Sequence, residues 1–423
     1  MTNYQERDLE NFIESYLLEN NGYIKRVSQN YDKTLCLDTE LLISFLQSTQ
    51  SKDLDELKKR LGEGYRIEIL KQIASKITKQ DIVKSLQNGI EIRGIKLSLA
   101  YRKPSNALNS DSIENYNKNT LSIIRQLYYS EENQNSIDIV VFLNGVPLLS
   151  IELKNPLSGQ NVYNAIEQYK KDRDPKEKLL QNCIVHFALD CDLAFMATKL
   201  EKEKTRFLPF NRGLNNGSGE IGLKSGAGNP LSDGLKSAYL WEKILKKDIL
   251  LTLIFDFVRV VKDKDQEKVI FPRYHQFDVV EKLLNDAKVN GVGKCYLIQH
   301  SAGSGKSNSI AWLAHNLVSL HGDVSLPLNM TEEKLIFDSI IVVTDRKVLD
   351  SQIRENVKSF SNTKNLVEAI THGSRQLKEA LEEGKKIIIT TIQKFPYILD
   401  EITTLKSKLL QLSLMKHTLV KVV

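Results

Sequence analysis

Asp138, Glu152 and Lys154 stand within the otherwise apolar stretch NSIDIVVFLNGVPLLSIELKNP, residues 135–156. Glu152 and Lys154 are two apart, so they share a face of any strand that carries them. Two carboxylates offer the hard oxygen ligands that magnesium takes, and a neighbouring ammonium can orient an attacking water or offset charge growing on a phosphate. Those are the requirements of metal-dependent phosphodiester hydrolysis. A surface charge cluster on a half-buried hairpin has the same composition, so placement decides between the two.

Placement turns on the hairpin. The apolar runs 137–143 and 148–153 flank Asn144-Gly145 and read as antiparallel strands. A turn made of Asn144 and Gly145 alone pairs Asp138 with Ile151 and points it away from Glu152, because directly paired residues face the same side. A three-residue loop over 144–146, with a bulge, pairs Asp138 with Glu152 instead. The chemical reading therefore predicts the bulged three-residue loop.

A second chemistry lies in VGKCYLIQHSAGSGKSNSIAWLAHNLVSLHG, residues 292–322. A strand over 295–299 runs into Ser301, Ala302, Gly303 and Ser304, and a helix begins near Gly305 with Ile310, Leu313, Ala314 and Leu317 inward. Gly303 and Gly305 supply backbone freedom and N–H groups for wrapping phosphates. Lys306 neutralises the β- and γ-phosphates, and Ser307 holds magnesium at the helix start. His300 replaces the first glycine usual in such loops, but strand, loop and helix are all in context for an ATP site. Upstream, Gln276 offers an amide donor and acceptor for an adenine edge.

Further parallel strands over 337–344 and 386–390 end at Thr344, Asp345 and Arg346, and at Thr391, Gln393 and Lys394. Loops after parallel strands open on one edge, the edge of the phosphate loop, and these residues are candidates for contact with a nucleic-acid backbone.

The positioning elements follow from periodicity. A helix is expected over 6–19, whose Glu6 and Glu10 suit alignment with the helix dipole better than a reach toward the hairpin. Strands are expected over 23–27, 90–99, 121–129, 184–189 and 193–198, with helices over 54–61 and 67–88 and a polar segment over 105–119. A helix over 162–171, starting near Asn161, carries Gln168 and Tyr169 as candidates for catalytic support beside Glu152. His186, among apolar neighbours, reads as a satisfied core histidine. The Gly/Asn/Ser-rich stretch 210–229 is a loop, and 239–258 an apolar helix bent near Asp248.

The chain has 423 residues, enough for two or three domains, and a net charge of +6 that permits a nucleic-acid partner without requiring one. Cys36, Cys183, Cys191 and Cys295 show neither metal spacing nor a disulfide framework, and there is no leader-like start and no apolar run of membrane length. A cytoplasmic protein without a membrane partner is expected.

The chain resembles the amino-terminal portion of the restriction (R, HsdR) subunit of type I restriction-modification enzymes from about Asn3 onward. The motifs that carry the resemblance are QYKKDRDP, VHFALDCDLAFMATKL, FLPFNRG, GAGNP, YLWE, QHSAGSGKSNSIAWLAH, FDSIIVVTDRKVLDSQI and IIITTIQKFP. It implies an α/β architecture: a PD-(D/E)xK-type endonuclease domain (1–235), a helical linker (236–270), and a first RecA-like domain of helicase superfamily 2 (271–423), incomplete at its C-terminus. It also implies Asp138, Glu152 and Lys154 as nuclease residues, Gln276 and Gly303 to Ser307 in the ATP site, and DNA contact from 344–346 and 390–394. Mg2+ and ATP are the expected cofactors, with double-stranded DNA and the methylation and specificity subunits as partners.

ATP hydrolysis also needs an acidic magnesium ligand and a residue that positions water. The family supplies them through a DEAH-like motif on the next strand, and no such sequence occurs here; the run 419–423 falls about where that strand is expected. A truncated subunit unable to translocate alone is the resulting expectation. The alternatives are a helicase-like remodeller whose nuclease-like domain is inactive, with Asp138 and Glu152 on different faces, and a non-catalytic docking module for a methyltransferase complex.

Overall fold

The computed structural model describes residues 6–79, 82–104, 109–155, 159–214, 228–232, 234–263, 266–301, 303–322, 335–344, 347–360, 366–370, 373–394, 410–415 and 419–422. They form two compact units, one of Met1–Pro104 with Asn109–His275 and one that begins at Gln276. Residues 236–270 therefore lie within the first unit.

The first unit is built on a seven-stranded mixed sheet whose strands sit side by side in chain order. They are β1 (Ile24–Arg26), β2 (Leu121–Tyr128), β3 (Ser136–Leu143), β4 (Val146–Leu153), β5 (Val185–Leu189), β6 (Ala194–Ala197) and β7 (Leu208–Pro209). Only β1/β2 and β4/β5 pair in parallel. Every residue of β4 is buried, as in a strand covered on both faces. Helix α1 (Glu6–Asn21) contributes buried Leu9, Ile13 and Leu17. Helix α2 (Val162–Lys171) inserts Val162, Ala165, Ile166 and Tyr169 into a core shared with Ile124, Val140, Phe142 and Ala188. Asn161 caps α2, accepting from the Tyr163 N–H at 3.0 Å, while the Asn164 side chain returns to the Asn161 N–H at 2.9 Å.

The hairpin departs from the expected loop while keeping the expected register. Leu143 pairs with Val146, so the turn is the two-residue one, and Asn144 and Gly145 both have positive φ, 52° and 83°. That is the twisted turn that Asn-Gly favours. The extra residue lies inside β4: Val141 pairs with Leu149 but Phe142 with Pro147, leaving Leu148 bulged. Pro147 has no N–H to give to the ladder, and a bulge beside it accommodates that loss. The turn is locked from below: a Cβ on Gly145 would stand 2.3 Å from the Asp38 carbonyl oxygen. Asn144 donates to Leu99 O and accepts from the Thr120 N–H.

Other expectations need revision. The helix expected over 67–88 is two helices, Tyr65–Lys79 and Ile82–Asn88, and the strand expected over 90–99 is a tight hairpin turning at Arg93-Gly94, both at positive φ. The polar segment 105–119 contains a helix, Ser110–Asn117, capped by Asn109. The apolar stretch 239–258 is broken into Leu240–Ile244, Lys247–Thr252 and Leu253–Phe257, the outer two wound wider than an α-helix. It is tied to its own unit, with Ser237 Oγ donating to Asp190 O and Tyr239 OH to Phe210 O. Most of the glycine-rich loop, 215–227, lies outside the described residues.

The second unit holds a six-stranded sheet in the order β8 (Cys295–Leu297), β13 (Leu419–Val422), β12 (Leu410–Met415), β9 (Ser339–Thr344), β11 (Ile387–Thr391) and β10 (Val367–Ala369). Strands β12, β9, β11 and β10 are mutually parallel, and the aliphatic β9 and β11 are wholly buried. Strand β13 corrects the expectation for 419–423. It is antiparallel to both neighbours, so it is not a further parallel strand of the kind that would carry the acidic motif.

Candidate active site and phosphate loop

With Ile139 opposite Ile151, the next residues outward along β3 and β4 are Asp138 and Glu152, on one face of the sheet. Different faces, the mark of the inactive-domain alternative, are therefore not what the register produces. Asp138 Oδ2 accepts the Leu153 N–H at 2.7 Å and Oδ1 accepts from Gln126 Nε2 at 3.1 Å.

Glu152 is fully buried. Its Oε1 takes a 2.7 Å bond from Arg173 Nε, and Arg173 also donates to Ser136 O at 2.8 Å. Oε2 has no donor facing it among the described residues. Its neighbour is the Asp138 carboxylate, with which it can share a hydrogen bond only when one of the two holds a proton. Burial first, and the Asp138 charge second, hold the Glu152 carboxyl well above its ordinary range, with Arg173 opposing. Lys154, the residue after the end of β4, is buried, and its N–H donates to Leu189 O at 2.9 Å.

Of the two support candidates on α2, Tyr169 is the one that reaches the sheet. Its buried hydroxyl lies 2.8 Å from Ser150 Oγ, which lies 2.8 Å from His186 Nδ1. Gln168 is half-buried on the same helix. His186 is a core residue as expected, but it is only half satisfied: Nε2 is buried without a hydrogen bond among the described residues, and burial pushes the pKa down to about 3, so the ring is neutral.

The sequence reading missed or undervalued several residues here. Arg173, inside the charged run KKDRDPKEK that begins at the end of α2, is the cation paired with Glu152. Glu10, assigned to the helix dipole, is buried and accepts from Gln126 Nε2 at 2.8 Å and Arg125 Nη2 at 3.1 Å. Burial and the Asp138 charge raise its pKa, against Arg125 and Gln126. The Glu6 side chain lies outside the described residues. Spacing reveals none of this, since Gln126 meets Asp138 from a left-handed backbone, with φ 45°, that no sequence pattern marks.

Among the described residues no three His, Cys, Asp or Glu side chains converge as a ready-made ligand cluster. The Asp138–Glu152 pair still suits a hard divalent ion. Two carboxylates face each other, one oxygen is buried without a donor, and magnesium is held by one or two carboxylates while keeping much of its water.

In the second unit, Gly303 and Gly305 have φ of 71° and 82°, and Gly305 caps helix α3 (Lys306–Leu317). Lys306 Nζ donates to His300 O and Ser301 O, both at 2.9 Å, which holds the ammonium over the loop. Ser307 lies in the first turn of α3, and Ser304 is buried. Gln276, also buried, donates to Gly305 O at 3.0 Å, so part of its amide braces the loop. Thr344 and Thr391 pair at the ends of β9 and β11, and exposed Gln393 follows in a short 3-10 turn that includes Lys394. Ala302, Asp345, Arg346 and the Lys394 side chain lie outside the described residues.

Residues 3–205 match the family model for the type I restriction enzyme R protein N terminus, and residues 275–417 match that for the SWI2/SNF2 ATPase. A Methanocaldococcus jannaschii protein, MjaIXP, described as a candidate type I restriction enzyme endonuclease subunit, is 25% identical over 72% of this chain and 29% of its own length. The Haemophilus influenzae type I restriction enzyme HindI endonuclease subunit is 27% identical over 61% of this chain and 23% of its own. A Staphylococcus aureus type I restriction enzyme endonuclease subunit is 23% identical over 66% and 26%. Residues 3–205 are thus an N-terminal domain of the type I restriction enzyme R protein kind, followed over residues 275–417 by a superfamily 2 ATPase domain. It spans about a third or less of the length of these relatives. Among the described residues no helix is long and apolar enough to cross a membrane.

Proposed function

We propose that the first unit is a PD-(D/E)xK-type, magnesium-dependent DNA endonuclease and that the second binds ATP. The whole serves ATP-dependent translocation and cleavage of unmodified foreign duplex DNA, in company with methylation and specificity subunits. The observation that carries the nuclease reading is Asp138 facing Glu152, whose buried Oε2 has no donor among the described residues. Asp138 and Glu152 would hold the ion, which when bound supplies charge to the phosphate and acidifies a water. Arg173 keeps Glu152 ionisable in a buried setting, and the buried Lys154, two residues beyond Glu152, would supply an ammonium to orient water or offset phosphate charge. The phosphate loop, Ser301 to Ser307 with Gln276 behind it, would bind the nucleotide triphosphate, and the ends of β9 and β11 would meet the DNA backbone.

The test is cleavage of supercoiled and linear duplex DNA in magnesium by this chain and by Asp138→Ala and Lys154→Ala, with and without ATP and the methyltransferase partners. Cleavage lost in both variants supports the reading. Cleavage unchanged in either contradicts it.

A further inference from the structure

Gln126 is a non-glycine residue in left-handed backbone, a conformation that costs free energy and persists where the surroundings enforce it. It interrupts β2 between the pairs Arg125–Ile139 and Leu127–Ile137, opposite Asp138. Nε2 then donates to Asp138 Oδ1 at 3.1 Å and to Glu10 Oε1 at 2.8 Å, while Oε1 accepts from Ser136 Oγ at 3.0 Å. The amide is thus fixed in one orientation, since the flipped one would turn a carbonyl toward both carboxylates. Glu10 is held in turn by Arg125, which also binds Glu14.

We propose that Gln126 is a positioning residue for the cation site. Together with the Leu153 N–H it clamps both oxygens of Asp138 opposite Glu152, and Glu10 fixes the orientation of the clamp. This rests on the nuclease reading, in which Asp138 is an ion ligand. Groups that orient a ligand influence affinity by about 10- to 100-fold.

The test is calorimetric titration of the full chain with Mn2+ alone, alongside thermal melting. Gln126→Gly relieves the backbone and removes the amide, so it is expected to melt no lower than the wild type yet bind Mn2+ at least about tenfold more weakly. A purely structural role predicts no such split. Gln126→Asn, which tolerates the same backbone and keeps an amide, recovers part of the affinity. Glu14→Gln, which touches Arg125 but not the clamp, leaves it unchanged. Asp138→Asn separates the claims. If it abolishes Mn2+ binding while Gln126→Gly does not weaken it, the clamp is wrong and the site reading stands; if Asp138→Asn binds Mn2+ normally, the site reading itself fails.

An independent observation concerns β12. A phosphate loop works with an acidic magnesium ligand carried by a strand of the same sheet, and β12, parallel to β9, has the sequence LQLSLM. Methionine has the single codon ATG and lysine codons begin AA. The frame starting one nucleotide before each codon therefore reads GAA, glutamate, across Met415 and Lys416, whatever the lysine codon. A Leu414 codon ending in G reads aspartate before it, and AAG for Lys416 with CAC for His417 reads alanine and histidine after it. With TTG, CAA, TTA and TCG for Leu410 to Ser413 and TTG for Leu414, the same frame reads Ala-Ile-Ile-Val upstream.

We infer that the coding stretch for Leu410 to Thr418 is translated one nucleotide out of a frame in which it encodes an apolar strand ending in Asp-Glu-Ala-His. Sequencing that stretch tests it. Expected are Leu414 and Leu410 codons ending in G, AAG for Lys416 and CAC for His417. A Leu414 codon ending in any other base, or CAT for His417, overturns the inference.

Discussion

The two candidate sites are made of different material. In the first unit the chemistry rests on side chains inside a sheet: Asp138, Glu152 and Lys154 are buried, and Arg173 and Gln126 hold the carboxylates. In the second it rests on backbone: two left-handed glycines, a helix start, and one lysine folded over carbonyls. Buried like charges must be oriented and neutralised by neighbours, whereas a phosphate loop needs only exposed N–H groups and freedom to bend. Removing the cation that neutralises a buried carboxylate should therefore be costly to folding in the first site, whereas substitutions in the second should cost little.

Arg173→Met is the strongest way to break that contrast. It strands a buried carboxylate, and about 3–5 kcal/mol of stability should be lost, read by denaturant unfolding. Gly145→Ala comes next, because its Cβ meets the Asp38 carbonyl at 2.3 Å in left-handed backbone; about 2–3 kcal/mol is expected. Gly303→Ala, with no atom within 4 Å of its Cβ, should cost about 1 kcal/mol from backbone strain alone.

His186 sharpens the comparison through pH. Its pKa falls from 6.5 to about 3 on folding, so its contribution is complete above 6.5 and drains away as pH falls toward 3. The slope from this one site is at most about 1.4 kcal/mol per pH unit. His186→Gln should flatten acid unfolding over that window, and an unaltered slope would show that the ring does not titrate there. Smallest is Lys306→Met, expected within about 0.5 kcal/mol of wild-type stability while ATP affinity falls at least tenfold in a binding titration.

How much was legible follows the same division. The phosphate loop is a local pattern, and its strand, glycines and helix lie where the spacing puts them. The carboxylate face of the first unit is not local. Asn144-Gly145 pointed to the hairpin, but the register depended on a bulge at Leu148, for which the available signal was the missing N–H of Pro147. Gln126 carries no mark of left-handed backbone, and Arg173 sits in a charged run whose commonest fate is solvent. Glu10 had a sufficient local explanation in the helix dipole, which concealed its place beside Asp138. Periodicity identifies faces well, but it does not show which charged residue on a face meets a partner far along the chain.

The most direct test of the central claim is thermal melting at neutral pH with and without Mg2+, for the wild type and Asp138→Asn. If Asp138 and Glu152 face each other as ion ligands, Mg2+ raises the wild-type melting temperature by binding the folded state. Asp138→Asn, relieved of the like charge, should then melt no lower than the ion-free wild type and no longer respond to Mg2+. A variant that still gains stability from Mg2+ as the wild type does would contradict the account.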